Sequence, residues 1–272
     1  MKARDRWVGL LLGALILVGT TGCGGDEEPA PEPEPEPVVE ETETDEEMVE
    51  DVPEPSPLGE VMRGHFERAV SARDALVRAD IEQAREDMNW LATHEGGDTL
   101  PEALQPRFAA MQTEAAAFGE SDTLTEAGQA FARTLVRCGE CHTAIDRFPE
   151  IASGPIPEGD STAAHMRRHQ WASTRMWTGL ITANPETFRE GTGALLDVPL
   201  HEHQVPGAEG HAPETIEGLT DHVHELSEQA LDAEDEMARA AIYGRYLATC
   251  GSCHRLLGLG PAAPAEGDSP AE

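Results

Sequence analysis

Two pentapeptides carry the clearest chemistry in the chain, Cys138-Gly139-Glu140-Cys141-His142 and Cys250-Gly251-Ser252-Cys253-His254. In the pattern C-x-x-C-H, two thiols can form thioethers to a tetrapyrrole while the adjoining imidazole binds its iron from one face. Other uses of these residues explain less. A zinc site of four thiolates gives the two following histidines nothing to do. A redox-active C-x-x-C opens a helix in an α/β fold, whereas here the motif ends a helix in a chain without alternating strand patterns. A disulfide inside C-x-x-C is strained. Both pentapeptides are therefore expected to bind covalent haem c, two in all, with His142 and His254 as proximal iron ligands.

The elements that position these motifs repeat. Met62-Arg63-Gly64-His65 recurs as Met166-Arg167-Arg168-His169, and the same offset aligns Leu76-Val77 with Leu180-Ile181, Ala79-Asp80 with Ala183-Asn184 and Arg85-Glu86 with Arg189-Glu190. The segment from Phe131 to His142 recurs as Tyr243 to His254 at a larger offset, which places a net insertion around Asp197 to Glu214. Apolar residues Met62, Phe66, Ala69, Val70, Leu76 and Val77 share one face at the helical period. Asp80, with Gln83 three residues on, reads as the start of a helix; Asn184 followed by Pro185 reads as another. Helices are predicted over 60–78, 81–94, 105–119 and 123–142, then 162–182, 185–197, 214–231 and 235–256. The fold class is thus all-α, as two tandem four-helix bundles over 59–150 and 160–259, each closed by a C-terminal C-x-x-C-H.

Helix order and motif placement resemble class II cytochromes c, the family of cytochrome c prime and its six-coordinate relatives. The resemblance covers about 200 residues in two copies, where most members of that family carry a single haem on one bundle. It implies that the first helix of each unit faces the distal side of the haem. There His65 and His169 are the candidate distal ligands, with Met62 and Met166, at i and i+3 from them, as the alternative. A position left open is the third possibility. Arg133 and Arg245, matched between the copies, could meet haem propionates or remain solvated. Trp90, Trp171 and Trp177 are expected as pocket or core packing. His94 and His165 read as helix-end residues, capping or solvated. His222 and His224 cannot share a helix side, and His201, His203 and His211 fall in the insertion.

The ends of the chain read differently. Residues 1–22 pair a basic start at Lys2, Arg4 and Arg6 with an apolar run from Val8 to Val18, the pattern of a secretory signal. Gly22-Cys23 after it resembles a bacterial lipobox, with Cys23 as the lipidated residue. Residues 23–58 follow as an acidic tether; its Gly24 to Leu58 part holds 15 Asp/Glu and 8 Pro with no Lys or Arg. Such a composition favours an extended chain. Residues 260–272 read as a disordered tail. The formal charge of -33 excludes nucleic acid as a partner, because phosphate recognition needs Lys and Arg.

Taken together, these features predict a lipid-anchored periplasmic dihaem cytochrome c that transfers single electrons and is not an enzyme. Its partners are expected to be other redox proteins with a basic docking surface. Alternatives are a protein that binds or senses NO or CO at a vacant distal site, and a dihaem peroxidase. The matched Met-x-x-His pairs argue against the asymmetry a peroxidase requires.

Overall fold

Capping chemistry sets most of the helix starts. The computed structural model describes residues 57–97, 100–196, 205, 208 and 210–259. Among them are eight α-helices and no β-strand: α1 Pro57–Val77, α2 Ile81–Thr93, α3 Gln105–Ala117, α4 Leu124–Ile145, α5 Thr162–Ile181, α6 Pro185–Gly193, α7 Pro213–Leu231 and α8 Glu236–Leu256. The expected all-α class is therefore observed. The predicted signal, Cys23, the tail, His201 and His203 lie outside the described residues, as does the tether up to residue 56.

Asp80 caps α2 by accepting the Gln83 N–H at 3.1 Å, and Asn184 caps α6 by accepting from Glu186 and Thr187 at 3.0 and 3.1 Å. Gln83 does not complete a capping box; its amide donates to Asp87 instead. The reciprocal box lies at the start of α4, where Thr123 and Glu126 satisfy each other's backbone. The pattern Thr-x-x-Glu was present in the sequence there. Three helix bounds depart from the prediction by three residues or more: α1 starts at Pro57, three residues early and inside the expected tether, and two helices end elsewhere than expected. α4 runs three residues beyond His142 to Ile145, so its motif lies inside the last turns of the helix. α6 stops at Gly193, four residues short of the expected 197.

Helices α1 and α5 end alike. Ala79 and Ala183 adopt φ of 60° and 48°, and the next residue's N–H reaches back to Ala75 and Gly179 at 2.8 Å in both cases. This is the closure usually made with glycine; placing alanine in the left-handed region costs roughly 1–2 kcal/mol. Nothing in the composition of either turn announced it.

Within each half the helices pack in chain order, α1 on α2, α2 on α3, α3 on α4, and likewise α5 through α8. The most extensive contact joins the two halves, α4 against α8. Glycine makes it close: a Cβ on Gly128 would run into the Gly244 carbonyl, and one on Gly244 would lie 2.6 Å from the Gly128 carbonyl oxygen. Across this seam α1 packs on α8 and α5 on α4, so one hydrophobic core spans both copies. Phe118, Phe131, Phe188, Trp177, Tyr243 and Tyr246 are all buried in it, so the few aromatics are concentrated where packing needs them. Among the described residues no helix is long and apolar enough to cross a membrane.

The seam makes a direct prediction. Gly128→Ala is expected to destabilise the protein by about 1–3 kcal/mol through overpacking, despite alanine's better helix propensity. Gly218→Ala, on α7 with open space at its Cβ position, is expected to stabilise by about 0.5–1 kcal/mol. Urea or thermal denaturation of the two variants checks both signs.

Candidate functional site

Each C-x-x-C-H lies at the C-terminal end of a long helix, α4 or α8, and its glycine is pressed against the opposite half. A Cβ on Gly139 would collide with the Leu180 carbonyl at the end of α5, and one on Gly251 with the Leu76 carbonyl at the end of α1. The motif thereby seats on the Ala183 and Ala79 turns, respectively. This explains why the residue after the first cysteine is glycine in both copies.

Each motif opens onto a cavity. The first, about 320 Å³, is lined by Cys138, Cys141 and His142 of α4 together with Met62, His65 and Phe66 of α1. The second, about 420 Å³, is lined by Cys250, Cys253 and His254 of α8 with Met166 and His169 of α5. Both volumes are in the range of small-molecule and cofactor sites. All ten predicted thiol, imidazole and thioether positions of the two copies therefore fall on two cavities, five to each.

The motif histidines are oriented by backbone. His142 Nδ1 donates to the Arg147 carbonyl at 2.7 Å, and His254 Nδ1 donates to the Val77 carbonyl at 2.8 Å. A carbonyl only accepts, so the proton resides on Nδ1 and the Nε2 lone pair is left available, the arrangement typical of a metal-binding histidine. The support differs between copies: Arg147 follows α4, whereas Val77 belongs to α1 in the other half.

His65 and His169 are held neutral. Burial, then the charge of His94, pushes His65 down to about 4. Burial, followed by His165, His224, Arg168 and His254, pushes His169 down to about 3. His65 Nε2 is sealed from solvent and has no hydrogen-bond partner. Its ring packs against Phe108 at 5.7 Å, Trp90 at 5.8 Å and His94 at 5.4 Å. An imidazole nitrogen sealed without a partner is costly to bury, and His65 is among the residues lining the first cavity.

The four motif thiols are not activated. Burial raises Cys138 and Cys250 to about 12 and also raises Cys141 and Cys253. They sit at helix C-termini, where the dipole disfavours a thiolate. Redox chemistry of the C-x-x-C type is correspondingly unsupported. Among the described residues no group of three or more His, Cys, Asp or Glu side chains is arranged to hold a metal ion.

Other expected roles change. Arg133 is bound to Glu114 at 3.0 Å and Arg245 to Gln229 at 3.0 Å; neither lines a cavity. The cavity arginines matched between copies are instead Arg63 and Arg167, which have no ion-pair partner among the described residues. Their recurrence within Met-Arg-x-His was the signal that could have found them. His94 is the C-cap residue of α2, as expected, but its ring is not solvated: it stacks on Trp90 at 4.1 Å and its Nε2 is also buried without a partner. His165 is buried, its ring 4.4 Å from His169. His222 faces Glu225. Trp177 lines the first cavity, while Trp171 donates its indole N–H to the Gly154 carbonyl at 3.1 Å.

His65→Leu is expected to raise the stability of the cofactor-free protein by about 1–2 kcal/mol, because it removes a buried nitrogen with no partner. Urea denaturation of apoprotein checks this; a destabilised His65→Leu apoprotein would mean that the imidazole is satisfied in solution.

No family model, no curated protein and no solved structure matches the chain.

Proposed function

We propose that the chain is a dihaem c-type cytochrome that passes single electrons between other redox proteins, exported to the periplasm and held to a bacterial membrane by lipid on Cys23. One observation carries the reading. In each half, the thiols and imidazole of C-x-x-C-H line the same cavity as the Met-x-x-His histidine, although the two motifs are far apart in sequence. Haem c supplies a one-electron iron couple inside a macrocycle that brings its own equatorial donors, so the protein has to provide at most two axial groups.

The residues present fit that requirement. Cys138 with Cys141, and Cys250 with Cys253, would form the thioethers. His142 and His254 would bind through Nε2, with the carbonyls of Arg147 and Val77 fixing each ring. His65 and His169 would take the distal side, because burial keeps both in the neutral form that can donate a lone pair. Met62 and Met166 line the same cavities, but a thioether needs no partner and the stranded His65 Nε2 does. Arg63 and Arg167, exposed at the cavity walls and free of ion pairs among the described residues, suit the carboxylates of the cofactor.

On this reading the eight helices form two four-helix units, each closed by its motif, in keeping with the resemblance to class II cytochromes c. Imidazole on both faces leaves no position for NO, CO or peroxide, which weighs against gas binding and peroxidase chemistry. The strongly acidic composition favours partners with a basic docking face.

Protein matured in a haem-attaching host is expected to carry two haems by mass and to show a low-spin spectrum that CO does not move. His65→Ala and His169→Ala should each convert one haem to high spin and open it to CO. A haem-free product, or a wild-type Soret band shifted by CO, would sink the electron-transfer assignment.

A further inference from the structure

Arg73 and Trp177 occupy the same register of the internal repeat, in the sense that Met62 matches Met166. The structure brings these two equivalent positions together: the Arg73 guanidinium lies 4.6 Å from the centroid of the Trp177 ring. Each lines the cavity of the other half. Trp177, on α5, walls the first cavity, and Arg73, on α1, walls the second. One turn on, Ile181 and Val77 make the same exchange. Trp177 also stacks on Phe66 at 5.4 Å and 17°, and Phe66 is itself part of the first cavity's wall. A continuous line of side chains, Phe66 to Trp177 to Arg73, therefore runs from one cavity to the other.

Phe66, at one end of this line, is 38% exposed, and the other two residues are sheltered. Trp177 is 2% exposed, and the Arg73 side chain is 12% exposed. Arg73 is held by two contacts to Asp74, 2.8 Å from Nη2 and 2.9 Å from Nε, as well as by the ring. Asp74 also lines the second cavity, but its side chain is 47% exposed, so its charge is screened by solvent more than that of Arg73. The Arg73 charge favours whichever neighbouring site has gained an electron.

We infer that Arg73 and Trp177 form a common wall through which each half conditions the cofactor attached to the other. Arg73 is a positioning residue of the second cavity: its charge raises the electron affinity of the cofactor bound through Cys250 and Cys253, not of the one bound in its own half. Trp177 closes the first cavity by backing Phe66. The inference rests on the dihaem reading.

The test is a potentiometric titration of the mature two-haem protein followed by visible absorption, with haem content measured by mass. Arg73→Gln is expected to lower one of the two potentials by about tenfold in the reduction equilibrium, roughly 59 mV for one electron, and to move the other far less. Arg73→Lys, which keeps the charge, should restore most of the shift. Removing the second attachment site, with Cys250→Ala and Cys253→Ala, leaves one haem by mass; on that background Arg73→Gln is expected to be silent. Two unmoved potentials in two-haem Arg73→Gln protein, or a shift that persists in the one-haem background, overturns the inference. A product with no haem by mass overturns the dihaem reading on which it rests.

Discussion

The contact between Gly128 and Gly244 is the constraint on which the rest depends. Without side chains at these positions α4 and α8 approach backbone to backbone, and the two helices that carry the motifs become the centre of the molecule. Any larger residue would push them apart by the width of a methyl group or more. Once they are this close, the first helix of each half is drawn against the last helix of the other. The Ala79 and Ala183 turns then meet Gly251 and Gly139, a second close approach that seats each motif on foreign backbone. The strained alanines are held where that fit needs them.

Crosswise packing has a chemical consequence. Each first helix serves two cavities, its N-terminal part lining the cavity of its own half and its C-terminal part that of the other. Even the imidazole of His254 is oriented by a carbonyl from α1. The two candidate sites are thus parts of one packing problem. Two residues that line the first cavity carry an unsatisfied group, Nε2 of His65 and Nε1 of Trp177; Nε2 of His94 and Nε of Arg175, from residues outside both cavity linings, are also buried without partners. Each such group costs stability in the folded chain. A protein tolerates that cost most readily where binding depends on the groups being poised in advance. At the second cavity, His169 of the lining has His165 and His224 as neighbours.

Much of this was legible in the sequence because it is encoded locally. Seven of the eight helix starts fell within one residue of expectation, and at α2 and α6 the reason is visible as a side chain closing the first turn. The repeat told which residues are equivalent, and the C-x-x-C-H spacing singled out side chains that line one cavity in each half. Met-x-x-His singled out His65 and His169, and each is among the residues lining the cavity of its own half's C-x-x-C-H. A local rule failed where two local partners competed, as when Gln83 turned to Asp87 and left the cap incomplete.

By itself, then, the amino-acid order determined the helices, the duplication and the residue types on offer, since these depend on neighbours a few positions apart. Tertiary structure alone decided which copy completes which cavity. Repeat symmetry makes Arg73 and Trp177 equivalent but contains no information about whether they meet. Their contact follows from how α4 and α8 cross, while the pairing of Arg133 with Glu114 follows from how α3 lies on α4. That crossing is governed by backbone distance at two glycines more than a hundred residues apart, a quantity no local spacing expresses.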